Sequence, residues 1–250
     1  MGGGDYIDIL GHRTWFAERG QGDETLVLLH GGLVHSDLLL DTIGKYLGEK
    51  YRVAAADRPG HGYTADDGKA FGYRSMGAHT VALLEHLGGA PKTLIGWSDG
   101  GVAALFAALA RPELVKSLVL IGTNYHHNGV AAAGFARGDP AYQWLLAEYS
   151  PRSPDGAEHF HDIAPRMFKL WAMEPRFAIA DLARIAMPVL VMAGDRDLVK
   201  LDHLFAMFNA LPDAQLAIVP GATHGLPMEK PDLVARLILD FLAGQGAAKG

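Results

Sequence analysis

Gly96-Trp97-Ser98-Asp99-Gly100-Gly101 joins the aliphatic run Thr93-Leu94-Ile95 to an apolar stretch of helical length reaching Ala110. Few backbone solutions suit so short a passage from a buried strand into a helix. The turn leaves almost no room for a side chain two residues before and two residues after Ser98, and Gly96 and Gly100 meet that demand. Ser98 then stands at the C-terminal edge of a sheet, its hydroxyl at a helix N-terminus where the backbone dipole favours developing negative charge. Glycine and serine occur in any turn, so the spacing alone is a weak signal. Its place between strand and helix makes it a nucleophile elbow.

Outward from that turn, short aliphatic runs alternate with amphipathic stretches, which predicts a mostly parallel sheet covered by helices on both faces. Residues 25–30, 52–56, 93–97, 117–121, 189–193 and 215–219 read as buried strands. Residues 6–10 and 13–18 read as an opening antiparallel hairpin turned at Gly11-His12. Apolar residues three and four apart predict helices over 36–47, 75–87, 100–110, 202–211 and 231–242. The alternation breaks once. Residues 124–186 carry no strand signal and predict short helices over 141–148, 157–173 and 176–185, rich in Trp, Tyr, Phe, Met and His. The expected organisation is a core of residues 1–123 and 187–250, with a helical cap, 124–186, inserted after the strand ending near Ile121.

A serine hydroxyl attacks a carbonyl only when a neighbouring base takes its proton and a third group orients that base. Behind this type of elbow the chain order is Ser, acid, His. Val219-Pro220-Gly221-Ala222-Thr223-His224-Gly225 ends a strand in a glycine-flanked histidine, and His224 is the one histidine of twelve placed after the acid loop and at a strand's end. The acid loop is Gly194-Asp195-Arg196-Asp197. Asp197 is preferred, because related loops place the acid three residues after the glycine; Asp195 could instead pair with Arg196 or cap the turn. The oxyanion of the tetrahedral intermediate needs two backbone donors. Asp99, next after Ser98, supplies one, and His30-Gly31-Gly32-Leu33 the other, with Gly32 preferred and Leu33 as fallback. Asp57-Arg58-Pro59-Gly60-His61-Gly62 reads as a structural turn.

Composition bounds the partners. At 250 residues, 49% hydrophobic and 20% charged, the chain closes one large core. A net charge of −6 without a basic run argues against nucleic acid or an anionic membrane as partner. The absence of cysteine excludes disulfides, a thiolate nucleophile and cysteine-ligated metals, and fits the expected cytoplasmic location. No apolar run has the length of a membrane span, and Met1 to Asp5 carry neither a positive n-region nor an apolar h-region, so no export signal is expected. His126-His127 and His159/His161 lack the i, i+4 spacing of a helical zinc set, so no metal is expected. No dinucleotide-binding glycine pattern follows the first strand, so no cofactor is expected.

From about residue 8 to 242 these motifs, in this order, resemble the α/β-hydrolase superfamily of serine hydrolases. Within it, Gly96-Trp97-Ser98-Asp99-Gly100-Gly101 together with Asn124-Tyr125 looks like the valacyclovir hydrolase (biphenyl hydrolase-like) group. That resemblance implies hydrolysis of small carboxylic esters, including α-amino-acid esters whose ammonium the Asp99 side chain would engage. Asn124, Tyr125, Trp144 and Trp171 are the further candidate substrate contacts. Ser98 at the elbow excludes the aspartate-nucleophile dehalogenases and epoxide hydrolases of the same fold. Carbon-carbon bond hydrolysis of ring-cleavage products stands second, with lactone hydrolysis and perhydrolysis beside it. A slow or inert ligand receptor is the alternative of another class, since fold alone does not decide function.

Overall fold

Residues 3–131 and 134–247 are described by the structure, a computed structural model. Leu10 and Gly11 both take positive φ, 56° and 77°, the turn whose twist matches paired strands, and β1 (Asp5–Ile9) folds back on β2 (His12–Arg19). Six strands follow: β3 (Thr25–Leu29), β4 (Arg52–Ala56), β5 (Lys92–Trp97), β6 (Val115–Ile121), β7 (Val189–Arg196) and β8 (Ala214–Thr223). One eight-stranded sheet results, ordered β1-β2-β4-β3-β5-β6-β7-β8 and antiparallel only where β2 meets β1 and β4. Every residue of β3 and β5 is buried, as parallel strands covered on both faces must be. This is the architecture of the α/β-hydrolase fold.

The helices are α1 (Ser36–Leu40), α2 (Ile43–Leu47), α3 (Tyr73–Leu87), α4 (Asp99–Ala110), α5 (Pro140–Tyr149), α6 (Phe160–Met173), α7 (Ile179–Leu182), α8 (Leu201–Ala210), α9 (Leu226–Glu229) and α10 (Pro231–Ala247). α4 packs on β5 and α3, and α10 packs on α2. None of the described helices is long and apolar enough to cross a membrane.

Two expected helices are corrected. The run 36–47 is two helices, broken where Thr42 leaves helical geometry (φ −101°, ψ −98°) and its hydroxyl bonds back to Leu38 O at 2.6 Å. The run 176–185 is helical only over α7, because its start pairs with another segment: Phe177 N–H donates to Tyr125 O at 3.1 Å and Arg176 bridges His126. Between β6 and β7 the described residues contain no strand, only α5, α6, α7 and two 3₁₀ turns.

The chain leaves β3 towards β4 on one side, and β5 lies on the other. In such sheets a crevice opens beyond the C-terminal ends of the strands where the order reverses. Residues 30–33 exit β3 and Ser98 exits β5 at that crevice.

Candidate active site

Ser98 sits between β5 and α4 at φ 54°, ψ −121°, a conformation that non-glycine residues hold only under constraint. The constraint is close packing. A Cβ on Gly96 would meet the backbone of Gly100 and Gly101, and a Cβ on Gly100 would meet that of Leu29 and His30. Ser98 N–H donates to Ile121 O at 2.8 Å, and Ser98 O accepts from Gly101 N–H at 2.9 Å, so the turn is bonded on both sides.

His224 follows β8 directly. Its Nε2 lies 3.0 Å from Ser98 Oγ and its Nδ1 lies 2.8 Å from Asp197 Oδ1. A carboxylate only accepts, which assigns the hydrogen to Nδ1 and leaves Nε2 to accept from the Ser98 hydroxyl. The Asp197 side chain is wholly buried beyond β7, and its Oδ1 also accepts from Val199 N–H at 2.9 Å. Its Oδ2 has no partner among the described residues. Asp195 goes elsewhere: its exposed carboxylate accepts from Gly221 N–H at 2.8 Å and Ala222 N–H at 3.3 Å, bracing the strand that delivers His224. Trp97 Nε1–H donates to His224 O at 2.8 Å and holds the histidine's backbone from the other side.

These groups face a cavity of about 460 Å³ whose wall includes Gly32, Ser98, Asp99, Asn124, Trp144, Trp171 and His224. Gly32 is on that wall. Leu33 is not among its lining residues; it is fully buried, at φ 59°. Tyr125 is not among the residues on this wall; its ring stacks on His203 (centroids 3.9 Å apart, 7° between planes) and its N–H donates to His203 Nε2 at 3.2 Å. Asn124 lines the wall with its Nδ2 donating to His126 O at 3.1 Å. His126 and His127 lie outside any α-helix and stack at 4.4 Å.

The Asp99 carboxylate is buried against Gly32, where a Cβ would strike both it and the Trp171 ring. Oδ1 accepts from Tyr73 OH at 2.7 Å and Oδ2 from Trp171 Nε1–H at 2.9 Å. Burial raises its pKa, opposed by the Trp171 and Tyr73 hydrogen bonds and by the positive charge of Arg58. Burial, and then the Asp99 charge, push the Tyr73 hydroxyl well above its ordinary pKa, so Tyr73 is a neutral donor.

Sequence reading does not find Tyr73, Glu174 or Glu229, which also line the cavity. Tyr73 opens a helix well before the elbow, and only the packing of α3 on α4 brings it to Asp99. Glu174 accepts from Tyr73 N–H at 3.3 Å, and Glu229 accepts from Thr223 N–H at 2.8 Å. The described wall thus carries three carboxylates and neither lysine nor arginine.

The chain is similar to proteins of one family. It is 30% identical to the magnesium-chelatase 30 kDa subunit of Rhodobacter capsulatus over 92% of this chain and 91% of that protein. It is 24% identical to the human serine hydrolase BPHL over 94% and 85%. Among solved structures, the meta-cleavage product hydrolase of Pseudomonas fluorescens superposes with a TM-score of 0.78 at 21% identity, covering 97% of this chain and 98% of that one. The alpha/beta hydrolase family profile matches residues 26–237, and the chain belongs to that family.

Proposed function

We propose that the protein is a serine hydrolase of small carboxylic esters, with Ser98 as nucleophile, His224 as general base and Asp197 as the acid that orients it. One observation carries the reading: a single imidazole spans Ser98 Oγ at 3.0 Å and buried Asp197 at 2.8 Å beside a cavity large enough for a small molecule.

Substrate enters between the sheet edge and residues 124–186, which act as a cap. His224 takes the Ser98 proton as Oγ attacks the carbonyl, and the amides of Gly32 and Asp99 hold the oxyanion. His224 then protonates the departing alcohol, leaving an acyl group on Ser98. Water attacks that ester, gives its proton to the same imidazole and releases the acid. Only neutral imidazole can begin either half.

The preferred acyl group carries an α-ammonium. Three carboxylates on a described wall that carries neither lysine nor arginine favour a cation, with the buried Arg58 charge acting on Asp99 in the opposite sense, and Trp171, Trp144 and Trp97 also line the wall. Of the three, Asp99 directly follows the nucleophile in the chain. Ser98→Ala and His224→Ala should each lower kcat by about three orders of magnitude with the fold intact. A panel of amino-acid esters, simple esters, a lactone and a ring-cleavage dienoate tests the class. Turnover of the dienoate alone, or near-wild-type hydrolysis by folded Ser98→Ala, would overturn it.

A further inference from the structure

The Gly32 amide belongs to the Gly31–Gly32 peptide, whose other end is the Gly31 carbonyl. That oxygen accepts two hydrogen bonds from the buried side, from His30 Nδ1 at 2.7 Å and Arg58 Nη2 at 2.9 Å. His30 Nε2 accepts the Arg58 backbone N–H at 3.1 Å, which assigns the ring hydrogen to Nδ1. The 3.1 Å approach of Arg58 Nη2 to His30 Nδ1 therefore places two donors side by side on one oxygen rather than forming a bond between them. Nη2 also donates to His30 O at 2.7 Å. In a trans peptide the N–H points opposite the C=O, so donors pulling the Gly31 oxygen inward aim the Gly32 hydrogen outward.

Arg58 is an odd choice for filling space. It is only 3% exposed, and its Nε and Nη1 have no partner among the described residues. An apolar side chain of similar volume would avoid the desolvation of the charge. Burial lowers its pKa only to about 10, opposed by Asp99, Tyr73 and Asp57, so it remains a cation at neutral pH. What an apolar side chain could not supply is a charged donor to the carbonyl oxygens of His30 and Gly31.

We propose that Arg58, assisted by His30, is a positioning residue that orients and polarises the Gly31–Gly32 peptide, so that the Gly32 N–H binds the developing oxyanion more strongly than an ordinary backbone amide. Charge on the carbonyl draws electrons from the nitrogen through the conjugated peptide, and hydrogen bonds in such a chain reinforce one another. The effect grows with negative charge on the substrate oxygen, so it acts on the transition state more than on bound ester. The inference rests on the Ser98 acyl-transfer reading.

The test compares wild type with Arg58→Met, Arg58→Lys and His30→Asn. Each is measured for kcat and KM on a p-nitrophenyl ester, and for inhibition by a trifluoromethyl ketone, whose adduct on the serine carries an oxyanion. Arg58→Met should lower kcat by about tenfold to a hundredfold and weaken the ketone in proportion, with KM changed less than threefold. Arg58→Lys should recover part of both losses. Should Arg58→Met fail to fold, Arg58→Lys and His30→Asn decide, each expected to lose several-fold in kcat and in ketone affinity together. Unchanged kcat in folded variants, or a kcat loss without weaker ketone binding, overturns the proposal. Wild type forming no ketone adduct on Ser98 overturns the acyl-transfer reading and this inference with it.

Discussion

Replacing Asp99 by asparagine removes a buried charge while leaving its hydrogen bonds available. Trp171 Nε1–H can only donate, so the amide oxygen must take its place at Oδ2. The amide NH₂ then faces Tyr73, whose hydroxyl can reverse from donor to acceptor. The backbone amide of residue 99 and the elbow glycines are untouched. If the carboxylate binds an α-ammonium, the variant loses a charge-assisted bond worth about 1.5 to 4 kcal/mol, or about tenfold to a thousandfold in kcat/KM. If Asp99 acts only on the geometry of the elbow, the loss in kcat/KM is the same for every substrate, and any lost complement to the dipole of α4 shows separately as about 0.3 to 1 kcal/mol of folding stability. The assay is kcat/KM for the p-nitrophenyl esters of valine and of 3-methylbutanoate, which differ only by the amine, with thermal unfolding measured in parallel. The valine ester should suffer the larger loss, and the amine-free ester should be spared or improved because its complex no longer covers a negative charge that meets no ammonium. Equal losses on both esters, whatever the change in thermal stability of a folded variant, would refute the ammonium site and leave a general carboxylesterase.

Other expectations follow from the same contacts. Asp197→Asn should lower kcat by several orders of magnitude through the wrong His224 tautomer, whereas Asp195→Asn should cost mainly stability; steady-state kinetics giving the reverse order would move the acid to Asp195. Gly32→Ala should lower kcat more than a hundredfold, since its Cβ has no space beside the Asp99 carboxylate and the Trp171 ring, and a mild effect would place the oxyanion donor elsewhere. Acid should destabilise the fold below pH 6.5. Burial holds His61 and His79 neutral down to about pH 3, while the unfolded chain protonates them near 6.5, so stability is lost as pH falls through that window. Asp57 acts in the opposite sense: burial raises its carboxyl to about 6 from 3.8, so the folded state gains a proton first. Burial lowers His30, His35 and His203 in the same sense as His61 and His79, so at pH 5 the histidine loss outweighs the Asp57 gain and the fold is less stable than at pH 7.5. Urea midpoints equal at pH 5 and 7.5 would contradict this balance.

What the sequence reveals here is what local sterics and chain order determine. The elbow is legible because Gly96, Ser98 and Gly100 are all forced by one turn, and the loops carrying Asp197 and His224 because each leaves a strand at the same sheet edge. Contacts made across the fold are not legible. Tyr73 and Trp171 reach Asp99 from helices 26 and 72 residues away, and no pattern near either announces the meeting. Arg58 reads as part of a structural turn, and only the folded β3 and β4 ends reveal that its guanidinium holds the carbonyls of His30 and Gly31. The surroundings of Tyr125 are hidden for a related reason. Its place beside Asn124 gives its position along the chain, but not that its ring stacks on His203, 78 residues on.

The central claim is that Ser98 is made nucleophilic by His224, and covalent labelling tests it most directly. A fluorophosphonate should modify one residue per chain, mass analysis should place the adduct on Ser98, and loss of ester hydrolysis should track labelling one to one. His224→Ala should slow the modification by orders of magnitude, because the hydroxyl then has no base. Full ester hydrolysis after complete labelling, an adduct on another residue, or an equally reactive Ser98 in folded His224→Ala would contradict the account.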